Sequence, residues 1–233
     1  MNKQEIFFAL LIVSLIVFLR TRKPKKKETE TKNQNFIYMR TLKRPPETDD
    51  LIFQCLVNSD RTKENLFIEK VKDICNELNQ EFNAGLTPEN LMYVIGKESA
   101  FTFSPKVRNP NSSATGLIQF METTAKSLGT STFELAKMTQ TQQLEYVYKY
   151  FRNILKFDKY KKLNTVDKVY SAIFFPLLLT KDYSYQLPLW ASKSNPIFDT
   201  NKDEKITKEE FINYVVNDYN RWKKLYPKFK LKK

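Results

Sequence analysis

A run of apolar residues near the N-terminus is the feature that most constrains this chain. Residues 6–19 read IFFALLIVSLIVFL, with one serine and no charge. As a helix the run is about 21 Å long, so flanking residues must help it cross the roughly 30 Å hydrocarbon core of a bilayer. Arg20 and Arg22 follow directly, without a small-residue cleavage site, which argues against a cleaved signal peptide. The sequence predicts one uncleaved transmembrane helix in residues 1–22, with a soluble core helix as the alternative.

The segment after this run predicts a tether. Residues 23–50 are charged and polar and contain the pair Pro45-Pro46, a composition typical of linkers that form no core. The rest of the 233-residue chain is long enough for one sizeable core. Four glycines are few for an all-β protein with many turns, so the composition indicates a mostly α fold.

Apolar periodicity and capping residues predict several helices in that core. Apolar residues recur at three-to-four spacing across residues 66–78, which indicates an amphipathic helix. Thr87 and Pro88 are typical of an N-cap and a first helical position, so the next helix is predicted to run from there to Glu98. Further helices are predicted near Gly116, at 123–128, 132–137 and 142–156, and at 166–179 with an interruption at Pro176.

The absence of histidine removes whole classes of chemistry. Without histidine, the chain has no Ser-His-Asp or Cys-His nucleophile system and no zinc site built on histidine. A chemistry that needs only carboxylates survives, and glycoside cleavage is the leading one. The net charge of +13 indicates an acidic partner, and nucleic acid, anionic lipid and the acidic bacterial cell wall all qualify.

The two cysteines, Cys55 and Cys75, leave a disulfide open outside the cytoplasm. Cys75 falls on the apolar side of the helix predicted for residues 66–78. This position favours a free cysteine that packs as a small core residue.

Glu98 is the leading catalytic candidate. The apolar stretch of residues 91–95 places it at the end of a predicted helix, and the stretch from Ser99 to Met121 contains no other acid. A carboxyl group in apolar surroundings has a raised pKa and donates a proton near neutral pH. Glycoside cleavage requires an acid of this kind.

Four segments together resemble the lytic transglycosylase and goose-type lysozyme superfamily. They are Glu98-Ser99, the run NPNSSATGLIQFM at 109–121, QQLEYVYKYF at 142–151 and VYSAIFFP at 169–176. The similarity covers residues 65–179, about half the chain. It implies a lysozyme-like domain at 51–190, with a helix carrying Glu98, a small hairpin or loop region and further helices around a cleft.

The resemblance also implies roles for individual residues. Glu98 would protonate the glycosidic oxygen between N-acetylmuramic acid and N-acetylglucosamine and then act as a base. Gln119, Ser113 and Asn109 match or lie near positions that contact the sugar, and Tyr170 matches a tyrosine of the cleft, although a core tyrosine remains the alternative. The implied partners are peptidoglycan glycan strands and, through the N-terminal helix, a lipid membrane, with no specific nucleic acid and the oligomeric state left open.

The reaction type depends on a second carboxylate. A hydrolase needs one to activate water or to act as nucleophile, and Glu122 is the nearest later candidate. Without it, the sugar's own N-acetyl and 6-hydroxyl groups complete the reaction, as the resemblance to lytic transglycosylases implies. The alternatives are a lysozyme-type hydrolase and a non-catalytic membrane protein that binds glycan.

The positive charges after the apolar run complicate its orientation. Arg20, Arg22 and the lysines at 23–27 place the rest of the chain in the cytoplasm by the positive-inside rule, whereas peptidoglycan lies outside. A phage virion with an internal membrane resolves this conflict, because it delivers the enzyme from outside. The predicted location is a single-pass position in such a membrane or in the bacterial cell envelope.

Residues 199–210 fit a twelve-residue EF-hand loop, in a segment predicted to span 191–233 with a C-terminal helix and a basic tail. The expected calcium ligands, for a structural role, are Asp199, Asn201, Asp203, Lys205 through its carbonyl, and Glu210. Glu204 departs from the pattern, because it stands where glycine makes the sharp turn. Calcium is not expected to take part in catalysis.

Overall fold

The computed structural model describes residues 61–225 apart from 161, and this part of the chain is mostly helical. Its eight α-helices are α1 Arg61–Phe82, α2 Pro88–Glu98, α3 Glu122–Ser127, α4 Thr132–Leu135, α5 Gln140–Leu155, α6 Val166–Phe174, α7 Leu189–Ser194 and α8 Lys208–Leu225. Three 3-10 turns lie at Asp158–Tyr160, Pro176–Thr180 and Pro196–Phe198. Within these residues β pairing is limited to isolated bridges. The prediction of a mostly α fold is confirmed.

The helix predicted near Gly116 is absent, and that prediction was wrong. Gly116 and Gln119 have φ angles of 85° and 53°, which a right-handed helix does not admit. Instead, Thr115 and Phe120 exchange backbone hydrogen bonds of 3.0 and 2.9 Å across a tight turn. The next helix, α3, begins only at Glu122.

Helix α2 lies at the centre of the core. The Thr87 side chain accepts a hydrogen bond from the Asn90 backbone N–H, and Pro88 occupies the first turn, as the sequence predicts. All residues from 90 to 96 are buried, and α2 packs against α1 and α6. Seven consecutive buried residues fix both the rotation and the depth of the helix, and thereby the position of Glu98 at its end.

Helix α8 joins the same core through aromatic side chains. Phe211 stacks on Phe174 of α6 at a ring separation of 5.0 Å, and Phe198 packs edge-on against both. Pro176 ends α6 and opens a 3-10 turn, since a proline cannot continue a helix. The described residues of the 51–190 and 191–233 segments belong to one compact unit.

The predicted membrane helix at 1–22 and the tether at 23–50 lie outside the described residues. Within 61–225 no helix is both long and apolar enough to span a membrane. Cys75 is buried with a free thiol, and burial raises its pKa to about 12. Cys55 also lies outside the described residues.

Candidate active site

The end of α2 is shaped by Ser99, which follows the candidate acid. Its hydroxyl donates a 2.7 Å hydrogen bond to the Ile95 carbonyl and accepts one of 3.1 Å from the Phe103 backbone N–H. Ser99 is fully buried. Ala100 and Phe101 then take positive φ angles of 51° and 55°, a left-handed conformation that costs non-glycine residues on the order of 1 kcal/mol each. The strained turn directly after Glu98 breaks the helix at that residue.

Two tyrosines from different helices surround the Glu98 carboxyl. The Tyr170 hydroxyl on α6 donates a hydrogen bond to it. The Tyr150 hydroxyl on α5 donates to the Ala172 carbonyl at 2.8 Å. Burial raises the Tyr150 pKa, and the nearby Glu98 charge adds to this effect. Glu98 itself keeps part of its surface open to solvent, so the carboxyl lies in a dense but accessible setting.

This setting changes the acidity of Glu98. Burial raises its pKa from 4.5 to about 7, against smaller lowering effects of the Tyr170 hydrogen bond and the Lys97 charge. No carboxylate is among the groups that perturb it. A carboxyl with a pKa near neutrality is populated in both forms, so it can donate a proton and take one back at the same pH.

The loop that follows carries three of the predicted sugar-contacting residues. The Gln119 amide donates to the carbonyls of Val107 and Gly116, at 3.3 and 3.0 Å. The Ser113 hydroxyl accepts from the backbone N–H of Glu122 at 3.1 Å. The Asn109 side chain is exposed and accepts from the backbone N–H of Asn111 at 2.8 Å. These hydrogen bonds shape the loop itself.

Of the predicted site residues, the structure brings Tyr170 into contact with Glu98. Asn109, Ser113 and Gln119 share one loop, and none of the hydrogen bonds found in the described part of the chain joins them to Glu98. Tyr150 was not predicted as a site residue, because it belongs to an amphipathic helix in which a core tyrosine looks the same in sequence.

Gln143 is a second residue that sequence reasoning missed. It is fully buried in α5, and its amide accepts from the Leu117 N–H at 2.6 Å while donating to the carbonyls of Leu135 and Pro105 at 2.9 and 3.2 Å. A Cβ on Gly116 would lie 2.2 Å from the Gln143 oxygen. Glycine is therefore required at 116 both by its φ angle and by this close approach.

Glu122, the candidate second carboxylate, is occupied elsewhere. One of its oxygens accepts from the Thr132 hydroxyl at 2.6 Å and from the Thr132 N–H at 3.0 Å. These hydrogen bonds lower its pKa. The ionised Glu122 carboxylate thus holds Thr132 at the start of α4, which is a structural role.

The loop at 199–210, predicted as an EF-hand loop, shows one backbone feature of that pattern. Glu204 has a φ of 65°, the left-handed conformation that glycine usually supplies at this position. The Asp199 carboxylate accepts from the N–H groups of Asp203 and Glu204, at 3.2 and 2.9 Å. Ile206 is buried, and its carbonyl accepts from the Leu187 N–H at 2.8 Å.

The side chains of this loop accept hydrogen bonds from neighbouring groups. Glu210 turns one oxygen to the N–H and hydroxyl of Thr207, both at 2.9 Å, and thereby caps α8. Asn201 and Asp203 accept from backbone N–H groups of the loop. Among residues 61–225 no group of three or more His, Cys, Asp or Glu is placed to hold a metal ion. The positive φ of Glu204 agrees with the predicted pattern, and the carboxylates accept hydrogen bonds from groups of the loop itself.

Comparison with known proteins gives one match. Residues 77–157 match the sequence model of the family described as Transglycosylase SLT domain, a segment of about a third of the chain that includes Glu98, the loop at 109–121 and α5. No curated protein and no solved structure matches the chain. Residues 77–157 are therefore similar to a transglycosylase SLT domain, and the chain is an enzyme of the lytic transglycosylase type that acts on peptidoglycan.

Proposed function

We propose that Glu98 is the sole acid and base of a reaction that cleaves the β-1,4 bond between N-acetylmuramic acid and N-acetylglucosamine and leaves 1,6-anhydro ends. The observation that carries this proposal is a carboxyl with a pKa of about 7 whose perturbing groups include no carboxylate. In the usual two-carboxylate mechanisms, a hydrolase of either stereochemistry uses a second carboxylate close by. Glu122, the nearest candidate in sequence, is held by Thr132.

The proposed reaction needs one exchangeable proton, which Glu98 gives and takes back. Protonated Glu98 donates its proton to the glycosidic oxygen while the bond from that oxygen to the muramic C1 breaks. The sugar's N-acetyl group supports the positive charge at C1, and its 6-hydroxyl oxygen then bonds to C1. The Glu98 carboxylate takes the proton of that hydroxyl, which restores the acid without water. Tyr170 donates to the carboxylate and stabilises its ionised form between the two transfers.

Replacing Glu98 by Gln tests the assignment. The amide keeps the size of the side chain and accepts from Tyr170, but it carries no transferable proton. We expect loss of peptidoglycan clearing with an unchanged circular dichroism spectrum. The matched variant Glu122→Gln alters a carboxylate in a structural role and retains clearing. Activity in the Glu98 variant would refute the assignment, whereas binding without clearing by the wild-type protein would favour the non-catalytic alternative.

We also propose that residues 6–19 anchor the enzyme in a membrane, of a phage virion or of the cell envelope. The support is the uncharged apolar run itself, which lies outside the described residues. Resistance of the protein to alkaline carbonate extraction tests the anchoring, and a variant lacking residues 1–22 is the control. Detection in purified, nuclease-treated virions supports the phage location, and detection only in uninfected envelopes contradicts it.

Calcium binding at 199–210 is a further proposal, with the backbone of the loop as its support. Binding would turn the carboxylates of Asp199 and Glu210 from backbone N–H groups to the ion, and the ion would stabilise the junction before α8. Calorimetry with calcium on the full chain is expected to show binding that Asp199→Ala removes. If the wild-type protein shows no binding of calcium, the proposal is refuted, and the loop is only a polar loop that caps α8.

A further inference from the structure

Asp218 lies on α8, beyond the matched family segment, and contacts α2 one residue before Glu98. Its Oδ2 atom is 2.8 Å from the Lys97 ammonium, and the same oxygen accepts a hydrogen bond from the Tyr93 hydroxyl. Tyr93 and Lys97 are one turn apart on α2, so a single carboxylate oxygen holds two side chains of the helix that carries Glu98. Lys97 and Asp218 are 23% and 28% exposed, so the pair is only partly screened by water.

Helix α8 also contacts both ends of α2. The Tyr219 hydroxyl donates to Glu89 in the first turn of α2 at 2.7 Å. At the other end, the Trp222 ring lies nearly parallel to that of Phe101, at 6.3 Å and 21°. Phe101 belongs to the strained turn after Glu98. The contact through Asp218 is therefore one of a series that fixes the catalytic helix against α8.

We propose that Asp218 is a positioning residue for the reaction: it holds the Lys97 ammonium against α8 and so keeps this positive charge from pairing with the neighbouring Glu98 carboxyl. The inference rests on the proposed function of Glu98 as acid and base. It extends the active site to α8, a second helix outside residues 77–157 besides α6.

The physical reason is the competition for one ammonium group. Burial raises the Glu98 pKa, and Lys97 is the only cation among the described groups that perturb it. The Tyr170 hydrogen bond from α6 also lowers this pKa. The Glu98 charge in turn adds to the burial that raises the pKa of Tyr150 on α5. Asp218 itself faces Tyr93 and Lys97 of α2 and Tyr214 of its own helix. Without the Asp218 charge, this ion pair with Lys97 is lost, and the ammonium acts more strongly on Glu98. This favours the ionised carboxylate, which cannot donate a proton.

The pH dependence of kcat/KM on peptidoglycan tests the proposal in the full-length protein. The alkaline limb of the wild-type profile reports deprotonation of Glu98. We expect Asp218→Asn to move this limb to lower pH by about half a pH unit or more. Lys97→Met removes the charge and moves the limb to higher pH, and the double variant follows Lys97→Met.

The limb is expected to move in opposite directions in Asp218→Asn and Lys97→Met, and this distinguishes a positioning role of Asp218 from a merely structural one. Glu81→Gln is the control, because it breaks the ion pair with Arg152, 2.7 Å long, and leaves the limb in place. A limb that stays or moves up in Asp218→Asn, or that still moves down in the double variant, overturns the proposal. If Asp218→Asn does not fold, Lys97→Met alone decides, and an unmoved limb there overturns it. Activity of Glu98→Gln would instead overturn the proposed function.

Discussion

Glu98→Gln has a consequence for stability that follows from the same burial that makes the residue an acid. The pKa of Glu98 lies at about 7, compared with 4.5 for an unperturbed glutamate. The ionised form is therefore disfavoured in the folded protein, and above pH 7 this costs about 3 kcal/mol of folding free energy before screening. Because Glu98 is partly open to solvent, we expect a net cost of about 1–2 kcal/mol.

The glutamine variant removes this cost, so it is expected to be inactive and more stable than the wild-type protein at about pH 8. The gain disappears below about pH 4.5, since both the folded and the unfolded protein then bind the proton. Denaturant unfolding of the full-length protein in mild detergent, followed by circular dichroism at both pH values, measures the difference.

Glu122→Gln is the matched control, and its expected change in folding stability has the opposite sign. The Thr132 hydrogen bonds lower the Glu122 pKa, so its carboxylate stabilises the fold above the unfolded pKa, and this contribution is lost as the pH falls through the lowered value. The variant is therefore less stable than wild type at about pH 8. A Glu98→Gln protein that is equally or less stable at this pH would refute the claim that burial controls the acidity of Glu98.

Two further predictions concern the surroundings of Glu98 and the turn of the loop. Tyr170→Phe removes a hydrogen bond that favours the ionised carboxylate, so the alkaline limb of the activity profile moves to higher pH. The Tyr150 hydroxyl donates to a backbone carbonyl, so Tyr150→Phe leaves the limb in place. Equal movement of the limb in both variants would contradict the assignment. Gly116→Ala places a Cβ against a buried amide at 2.2 Å and destabilises the fold by about 2 kcal/mol or more. Gly129→Ala, at a φ of 82° with nothing within 4 Å, costs only about 1 kcal/mol, and equal melting temperatures would contradict the packing argument.

Local signals in the sequence predicted the start of α2 and singled out the candidate acid at its end. Thr87 and Pro88 begin α2 as predicted, because a capping hydroxyl and a proline act within one turn of the chain. Glu98 stands out because the apolar residues before it and the acid-free loop after it are both visible in sequence. The raised pKa of Glu98 could be predicted from its neighbours along the chain, without knowledge of contacts with distant residues.

The parts that sequence did not yield depend on contacts distant in the chain. The sequence indicates the start of a helix near Gly116, whereas Gln143 accepts from the N–H of Leu117, 26 residues before it, and holds this segment in a turn. The sequence leaves the role of Glu122 open, because its partner Thr132 belongs to the next helix. Asp218 reaches α2 from more than a hundred residues away, and no local pattern marks an aspartate for that contact.

The central claim is that the substrate, rather than water, completes the reaction of Glu98. Digestion of peptidoglycan by the full-length enzyme in water enriched in the heavy oxygen isotope tests it most directly, with mass spectrometry of the fragments. We expect fragments with anhydro-muramyl ends, lighter by one water than hydrolysis products and free of the heavy isotope. Reducing ends that carry the heavy isotope would show that a water molecule attacks C1, and would contradict the claim.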